Sequence, residues 1–362
     1  MSRQRVHAAV SGAGVQSRAR TDATASVLAG SWRSQPQRSL AISESELREA
    51  AQSLMQSGAG ALAWWRIRNT GLAVTNIGAE LRASYRCHVL RAGVYEERLQ
   101  HLFRELRAKS IEPILFKGWA VARYYADNAL RPYGDIDLLV EPTDFARATE
   151  ILSQPAFVDW NCDLHDRSPD LHERSYDELH VRSQLVPLGN SSVRVLAHED
   201  HLALLCAHFI RHGAYRPVWL CDIAAAVEAA GPNFNWDVCL SGDAHRARWI
   251  IAALQVARDV LGADCVAAPA EASEKPPRWL VRALFTRSDK PSIALTPMRR
   301  LLRRGQGLWT DIRERWPHPV LATLRRKGDP TKFPAPLGHQ LAIFSNRASH
   351  FAWRLCTGRA KA

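Results

Sequence analysis

Two aspartates one residue apart head an apolar run in Gly134-Asp135-Ile136-Asp137-Leu138-Leu139-Val140. In an extended strand, residues i and i+2 project from the same face, so Asp135 and Asp137 are expected to point together while Ile136, Leu138 and Val140 fill the other positions. Paired carboxylates suit a hard divalent cation such as Mg²⁺ or Mn²⁺, which takes oxygen ligands and works on phosphate-bearing substrates. The chemistry this spacing suggests is phosphoryl or nucleotidyl transfer. Such transfer uses metal ions to clamp the reacting phosphate and to activate the attacking oxygen, and a third carboxylate commonly completes the set. Asp163, in Cys162-Asp163-Leu164-His165, is the best candidate for it, with Glu178 as the alternative.

The elements around the pair must bring these groups to one place. Ile114-Leu115-Phe116 reads as a strand that turns at Lys117-Gly118 into a short helix over 119–127. A glycine lets a phosphate approach the backbone, and Lys117 adds a charge there. A loop through Leu130-Arg131-Pro132-Tyr133-Gly134 leads to the aspartate strand, 135–140, and Arg131 could reach the same anion. Pro142-Thr143-Asp144 signals a helix running to Leu152. A further strand is expected over 157–164, with Val158, Trp160, Cys162 and Leu164 facing the core opposite Asp163. Asp159 and His165 share the face of Asp163.

These residues carry a family resemblance. Phe116-Lys117-Gly118, then a helix, then Arg131-Pro132-Tyr133-Gly134-Asp135-Ile136-Asp137-Leu138-Leu139-Val140, resembles the polymerase-β-like nucleotidyltransferase superfamily. The chain is more closely similar to a bacterial group of uncharacterised nucleotidyltransferases. That group has a Lys-Gly turn, the aspartate pair, a later Asp-Leu-His carboxylate (here Asp163-Leu164-His165) and a helical segment (here from Glu199). The resemblance spans roughly residues 45–265 and is strongest over 114–141. It implies an α+β fold: a small mixed β-sheet core flanked by helices, with further N- and C-terminal helical segments. It also implies transfer of a nucleoside monophosphate from an NTP such as ATP, with Mg²⁺ or Mn²⁺ as cofactor. Where the superfamily usually has Gly-Ser after the first strand, this chain has Lys-Gly, so a serine contact to the nucleotide phosphates is missing.

Length and composition frame this core. The 362 residues are 46% hydrophobic, room for more than one structural unit, and the net charge is +12. The charge is uneven: residues 298–362 hold 14 Lys/Arg against 3 Asp/Glu, and residues 1–40 hold 6 Arg against 1 Asp. The expected organisation is a disordered basic tail (1–40), a helical segment (41–110), the nucleotidyltransferase core (111–195), a helical cleft domain (196–297) and a basic helical extension (298–362). Within these, helical periodicity is read at 43–65, 75–109 (a long helix or a broken pair), 198–230, 245–262, 279–287 and 338–355. The basic extension suggests an anionic partner, with nucleic acid among the options. The seven cysteines form no CxxC pair and read as free thiols of a reducing cytoplasm. No run is apolar enough for a membrane span. The dense His198-Glu199-Asp200-His201 stretch, with His208 and His212, reads as polar groups on a helix lining the nucleotide cleft, since no zinc-site framework accompanies it. Two rival readings stand beside the enzyme: a non-catalytic, antitoxin-like protein that kept the fold, and an RNA-end-modifying enzyme that uses the basic tail.

Overall fold

The computed structural model describes residues 22–35, 40–167, 170–171, 173–266, 268–284, 316–332 and 334–356. The basic stretch 298–315 of the C-terminal extension lies outside the described residues, as do residues 1–21 of the N-terminal tail. Residues 22–35 correct the expectation of a disordered tail over 1–40. Val27, Leu28 and Trp32 are buried there. The Trp32 indole and the Arg33 guanidinium both donate to Glu228, at 2.8 Å for each of Trp32 Nε1 and Arg33 Nε. The buried apolar side chains offset the entropy of ordering the segment.

Helices α1 (Glu44–Gln56) and α2 (Gly60–Ile67) form one expected segment broken in two at Gly58, whose φ is +84°. Ser43 and Glu46 close a capping box at the start of α1. Helix α3 (Asn76–Arg107) is a single 32-residue rod, about 48 Å long at the helical rise. Its N-terminal part packs Ile77 and Leu81 into one core, and its C-terminal part packs Leu99, Leu102, Phe103 and Leu106 into another.

A five-stranded sheet separates those two cores. Its strands are β1 (Ile114–Phe116), β2 (Ile136–Leu139), β3 (Cys162–His165), β4 (Gln184–Leu188) and β5 (Ser191–Val195), in the spatial order β3-β2-β1-β5-β4. The sheet is mixed: β2 runs antiparallel to β1 and parallel to β3, while β5 runs parallel to β1 and antiparallel to β4. Helix α4 (Gly118–Ala122) follows β1, and α5 (Phe145–Leu152) makes the crossover between the parallel strands β2 and β3. The fold class is α+β, as expected.

Three differences from the sequence reading bear on the site. Helix α4 is five residues long, shorter than the expected 119–127. Strand β3 begins only at Cys162, because Val158–Trp160 form a 3₁₀ turn. Phe157 and Trp160 meet edge-to-face at 4.9 Å and both pack on His101, a cluster an extended chain could not make. Val158 is accordingly exposed rather than core-facing. The hairpin β4–β5 was not foreseen.

The remaining helices cover the β1–β2 face that carries Ile114, Phe116 and Leu139. They are α6 (Tyr176–Arg182), α7 (His198–Arg211), α8 (Pro217–Glu228), α9 (Trp236–Leu240) and α10 (Ala244–Leu261). The expected helix over 198–230 divides into α7 and α8 at Gly213-Ala214, both with positive φ. Further on come α11 (Arg278–Ala283), α12 (Pro319–Arg325) and α13 (Leu337–Cys356). Among the described residues, no helix is long and apolar enough to cross a membrane. Cys206, Cys221, Cys239 and Cys265 are buried free thiols.

Candidate active site

Strand alternation sets the site. Ile136 and Leu138 point into the core shared with the C-terminal part of α3, so Asp137 and Leu139 take the opposite face, where Phe116 and Ile114 also lie. Asp137 pairs in register with Phe116 on β1 and with Asp163 on β3, and Leu139 pairs with His165. Cross-strand partners share a face, so Asp137, Asp163 and His165 stand on one side of the sheet, with Asp163 exposed on its edge strand.

Asp137 is 4% exposed, and a buried carboxylate needs compensation. Lys117 Nζ lies 3.1 Å from its Oδ1 and donates to it. His165 Nε2 lies 3.5 Å from the same oxygen, with its ring 5.3 Å from that of Phe116. Burial pushes the Asp137 carboxyl up, but His165 and Lys117 outweigh it and hold the group below the ordinary range.

The Lys117-Gly118 turn lies against the aspartate loop. Gly118 has φ +44°, and a Cβ built on it would stand 3.3 Å from the carbonyl oxygen of Asp135. Lys117 itself has φ +60° and ψ −157°, a region used almost only by glycine. Asp135 sits one residue before β2 and is half-buried. The structure thus brings Lys117, Gly118, Asp135, Asp137 and Asp163 to one end of the sheet.

Two candidates are placed elsewhere. Arg131 does not reach toward a phosphate. Its guanidinium is buried and forks onto Asp222 of α8, with Nε 3.1 Å from Oδ1 and Nη2 3.0 Å from Oδ2, while the Tyr125 hydroxyl donates to Oδ1 at 2.6 Å. Burial would lower the Arg131 pKa, but Asp222 more than reverses it. Arg131 is a clamp that ties the loop before Asp135 to α8. Glu178, the alternative third carboxylate, is engaged in a capping box, accepting from the Ser175 backbone N–H at 2.7 Å.

The histidine-rich helix is largely structural. His198 Nε2 lies 2.7 Å from the Ala226 carbonyl, and the Tyr124 ring stacks on it. His201 is fully buried, with Nδ1 3.2 Å from the Tyr124 hydroxyl. Asp200 takes a bidentate pair from Arg182 at 2.9 and 3.0 Å and a further contact from Arg174. The C-terminal end of α7 differs. His208, His212 and Trp219 form a half-buried ring cluster, with centroids 4.3 to 5.3 Å apart. Burial first, then the charges of His208 and Arg211, push the His212 pKa down to about 4, and Lys117 is close enough to contribute. Arg216 stands near Asp135, which is one of the charges acting on it, and donates from Nε to the Ser57 carbonyl at 2.9 Å. His165 was read from sequence only as sharing the face of Asp163, and His212 only as a polar group on the helix lining the cleft. Arg216 was not read at all: the turn after α7 brings it in, and no local spacing announces that. A cavity of about 360 Å³ lies on the α10 side of α7, between Arg211, Ile210 and Trp249.

A family model described as uncharacterised nucleotidyltransferase matches residues 43–158 and 153–258, more than half of the chain. The chain belongs to this nucleotidyltransferase family. The two matched stretches contain every group assembled at the sheet end, from the Lys117-Gly118 turn to the end of α7 and on to Arg216. No curated protein and no solved structure matches the chain.

The donors fit a divalent cation in type: Asp135, Asp137 and Asp163 offer only carboxylate oxygens, the ligands Mg²⁺ prefers. Among the described residues no group of three or more His, Cys, Asp and Glu is gathered tightly enough to hold a metal ion. Asp137 instead has a protein cation, Lys117, as its counter-ion.

Proposed function

We propose that this member of the family is a metal-dependent nucleotidyltransferase of the polymerase-β-like type. It moves a nucleoside monophosphate from an NTP to a hydroxyl or phosphate of an acceptor. The observation that carries this reading is the register of Asp137 with Asp163 on adjacent strands, beside the Lys117-Gly118 turn. Binding alone has no need of carboxylates aligned in this way, which weighs against a non-catalytic scaffold.

In this reading Asp135, Asp137 and Asp163 hold Mg²⁺ or Mn²⁺, which supplies charge neutralisation at the α-phosphate and activation of the attacking oxygen. Lys117 and the Gly118 backbone hold triphosphate oxygens, and Arg131 keeps the Asp135 loop in place through Asp222. The acceptor oxygen forms a bond to the α-phosphorus as the bond to the bridging oxygen breaks, and pyrophosphate leaves. Asp163, exposed beside the buried Asp137, takes the proton of an attacking hydroxyl.

The test is incubation of the protein with each of four α-labelled NTPs, a divalent cation and a cell extract as acceptor source. Label entering a product with the wild type and not with Asp137→Asn or Asp163→Asn supports the reading. Equal labelling by wild type and both variants refutes it. Loss of label after ribonuclease treatment of the product would identify RNA as the acceptor.

A further inference from the structure

Lys117 is an odd residue for its position. The turn after β1 needs φ near +60° with an extended ψ, which glycine adopts freely and other residues adopt at a cost of about 1–3 kcal/mol. Strain of this kind persists only where the surroundings over-determine it. The ammonium that is held there donates to Asp137 Oδ1 at 3.1 Å and lies over the Phe116 ring, 5.1 Å from its centroid. Asp137 is almost fully buried, whereas the Lys117 side chain keeps 17% of its surface open to solvent. The His165 ring nitrogen Nε2 is farther from the same oxygen, at 3.5 Å. Lys117 can therefore leave toward solvent, and Asp137 cannot lose it without a replacement charge.

Resting on the metal-dependent reading above, we propose that Lys117 is a placeholder cation: it neutralises Asp137 until a divalent ion takes its place, and its ammonium then passes to the triphosphate. Two consequences follow from charge alone. In the absence of nucleotide, Lys117 competes with the divalent ion for Asp137, so wild-type affinity for the metal is weak. With nucleotide present, the displaced ammonium gains phosphate oxygens, so nucleotide and metal favour each other's binding. Coupling of this kind is commonly about 5–150-fold.

The experiment measures Mn²⁺ bound to the full-length protein without nucleotide, by the loss of the free-ion electron paramagnetic resonance signal. The variants are Lys117→Met, Lys117→Gly and Asp137→Asn. Glycine suits the backbone of the turn, so Lys117→Gly removes the ammonium without adding backbone strain. The expected result is Mn²⁺ binding about tenfold tighter in both Lys117 variants than in wild type, and lost in Asp137→Asn. A non-hydrolysable NTP analogue is expected to tighten Mn²⁺ binding more in wild type than in either Lys117 variant. Mn²⁺ affinity unchanged or weakened in both Lys117 variants, with Asp137→Asn still abolishing binding, overturns the placeholder role and leaves the metal site standing. Mn²⁺ binding that ignores Asp137→Asn, or no Mn²⁺ binding by any of the four proteins, overturns the metal site itself.

Discussion

Replacing Asp222 with alanine strands a buried charge. Arg131 is 7% exposed and Asp222 is 1% exposed. The substitution removes the acceptor for Arg131 Nε and Nη2 and for the Tyr125 hydroxyl together. Breaking a buried pair from one side costs about 3–5 kcal/mol, and the orphaned Tyr125 hydroxyl adds to that. A domain has about 5–15 kcal/mol of stability in all, so the loss is a large share of it. Urea denaturation of Asp222→Ala should read it as a lowered midpoint. Replacing both charges, Arg131→Met with Asp222→Leu, removes the stranded ion and should cost less than Asp222→Ala alone. The same series separates two roles for Arg131. As a clamp, Arg131→Met and Asp222→Ala weaken nucleotidyl transfer alike, because both free the loop before Asp135. As a phosphate contact, Arg131→Met alone would weaken nucleotide binding. An Asp222→Ala protein within about 1 kcal/mol of wild type, well below the cost of a stranded ion, would refute the clamp.

Other outcomes follow from the same geometry. Gly118→Ala places a Cβ 3.3 Å from the Asp135 carbonyl at φ +44°, and should cost about 1–2 kcal/mol in thermal or urea unfolding while reducing transfer. Glu178→Gln keeps the cap on α6 and should leave transfer and Mn²⁺ binding at wild-type levels; a loss of either would return Glu178 to the ligand set. Asp170 gives a pH signature. Burial pushes its carboxyl up, but His208 and Arg211 bring it from 3.8 to about 2. The folded state thus binds the proton less readily than the unfolded state. The stability this contributes is fully present above about pH 4 and is lost as pH falls toward 2; it amounts to about 2 kcal/mol. Asp170→Asn should flatten the acid limb of a stability–pH curve in that window.

Much of the site was legible because it is local. Gly134 to Val140 specifies a strand by alternation, and the apolar partners Ile136 and Leu138 fix which way Asp137 faces. The Lys117-Gly118 turn was readable for the same reason. What escaped the sequence depends on partners far along the chain. Arg131 looked available for phosphate, and only the packing of α8 shows that Asp222, 91 positions on, already holds it. Glu178 has the residue type of a ligand, but the serine three positions earlier captures it as a cap. The β4–β5 hairpin is poorly patterned because Gln184, Leu185 and Pro187 lie exposed on an edge strand, where β4 sends only Leu188 fully into the core beside Val193 and Val195 of β5. The turn at Val158–Trp160 was misread as strand because its apolar residues alternate, and aromatic packing on His101 overrides that pattern.

The central claim is that the carboxylates at this end of the sheet hold a divalent cation beside the Lys117-Gly118 turn. Crystals grown with Mn²⁺ and a non-hydrolysable NTP analogue test it most directly, through anomalous scattering from the manganese. The account predicts an anomalous peak within bonding distance of Asp137 and Asp163, with triphosphate oxygens on the ion and Lys117 swung from Asp137 to the phosphates. A bound nucleotide with manganese elsewhere, and Lys117 still on Asp137, would contradict it.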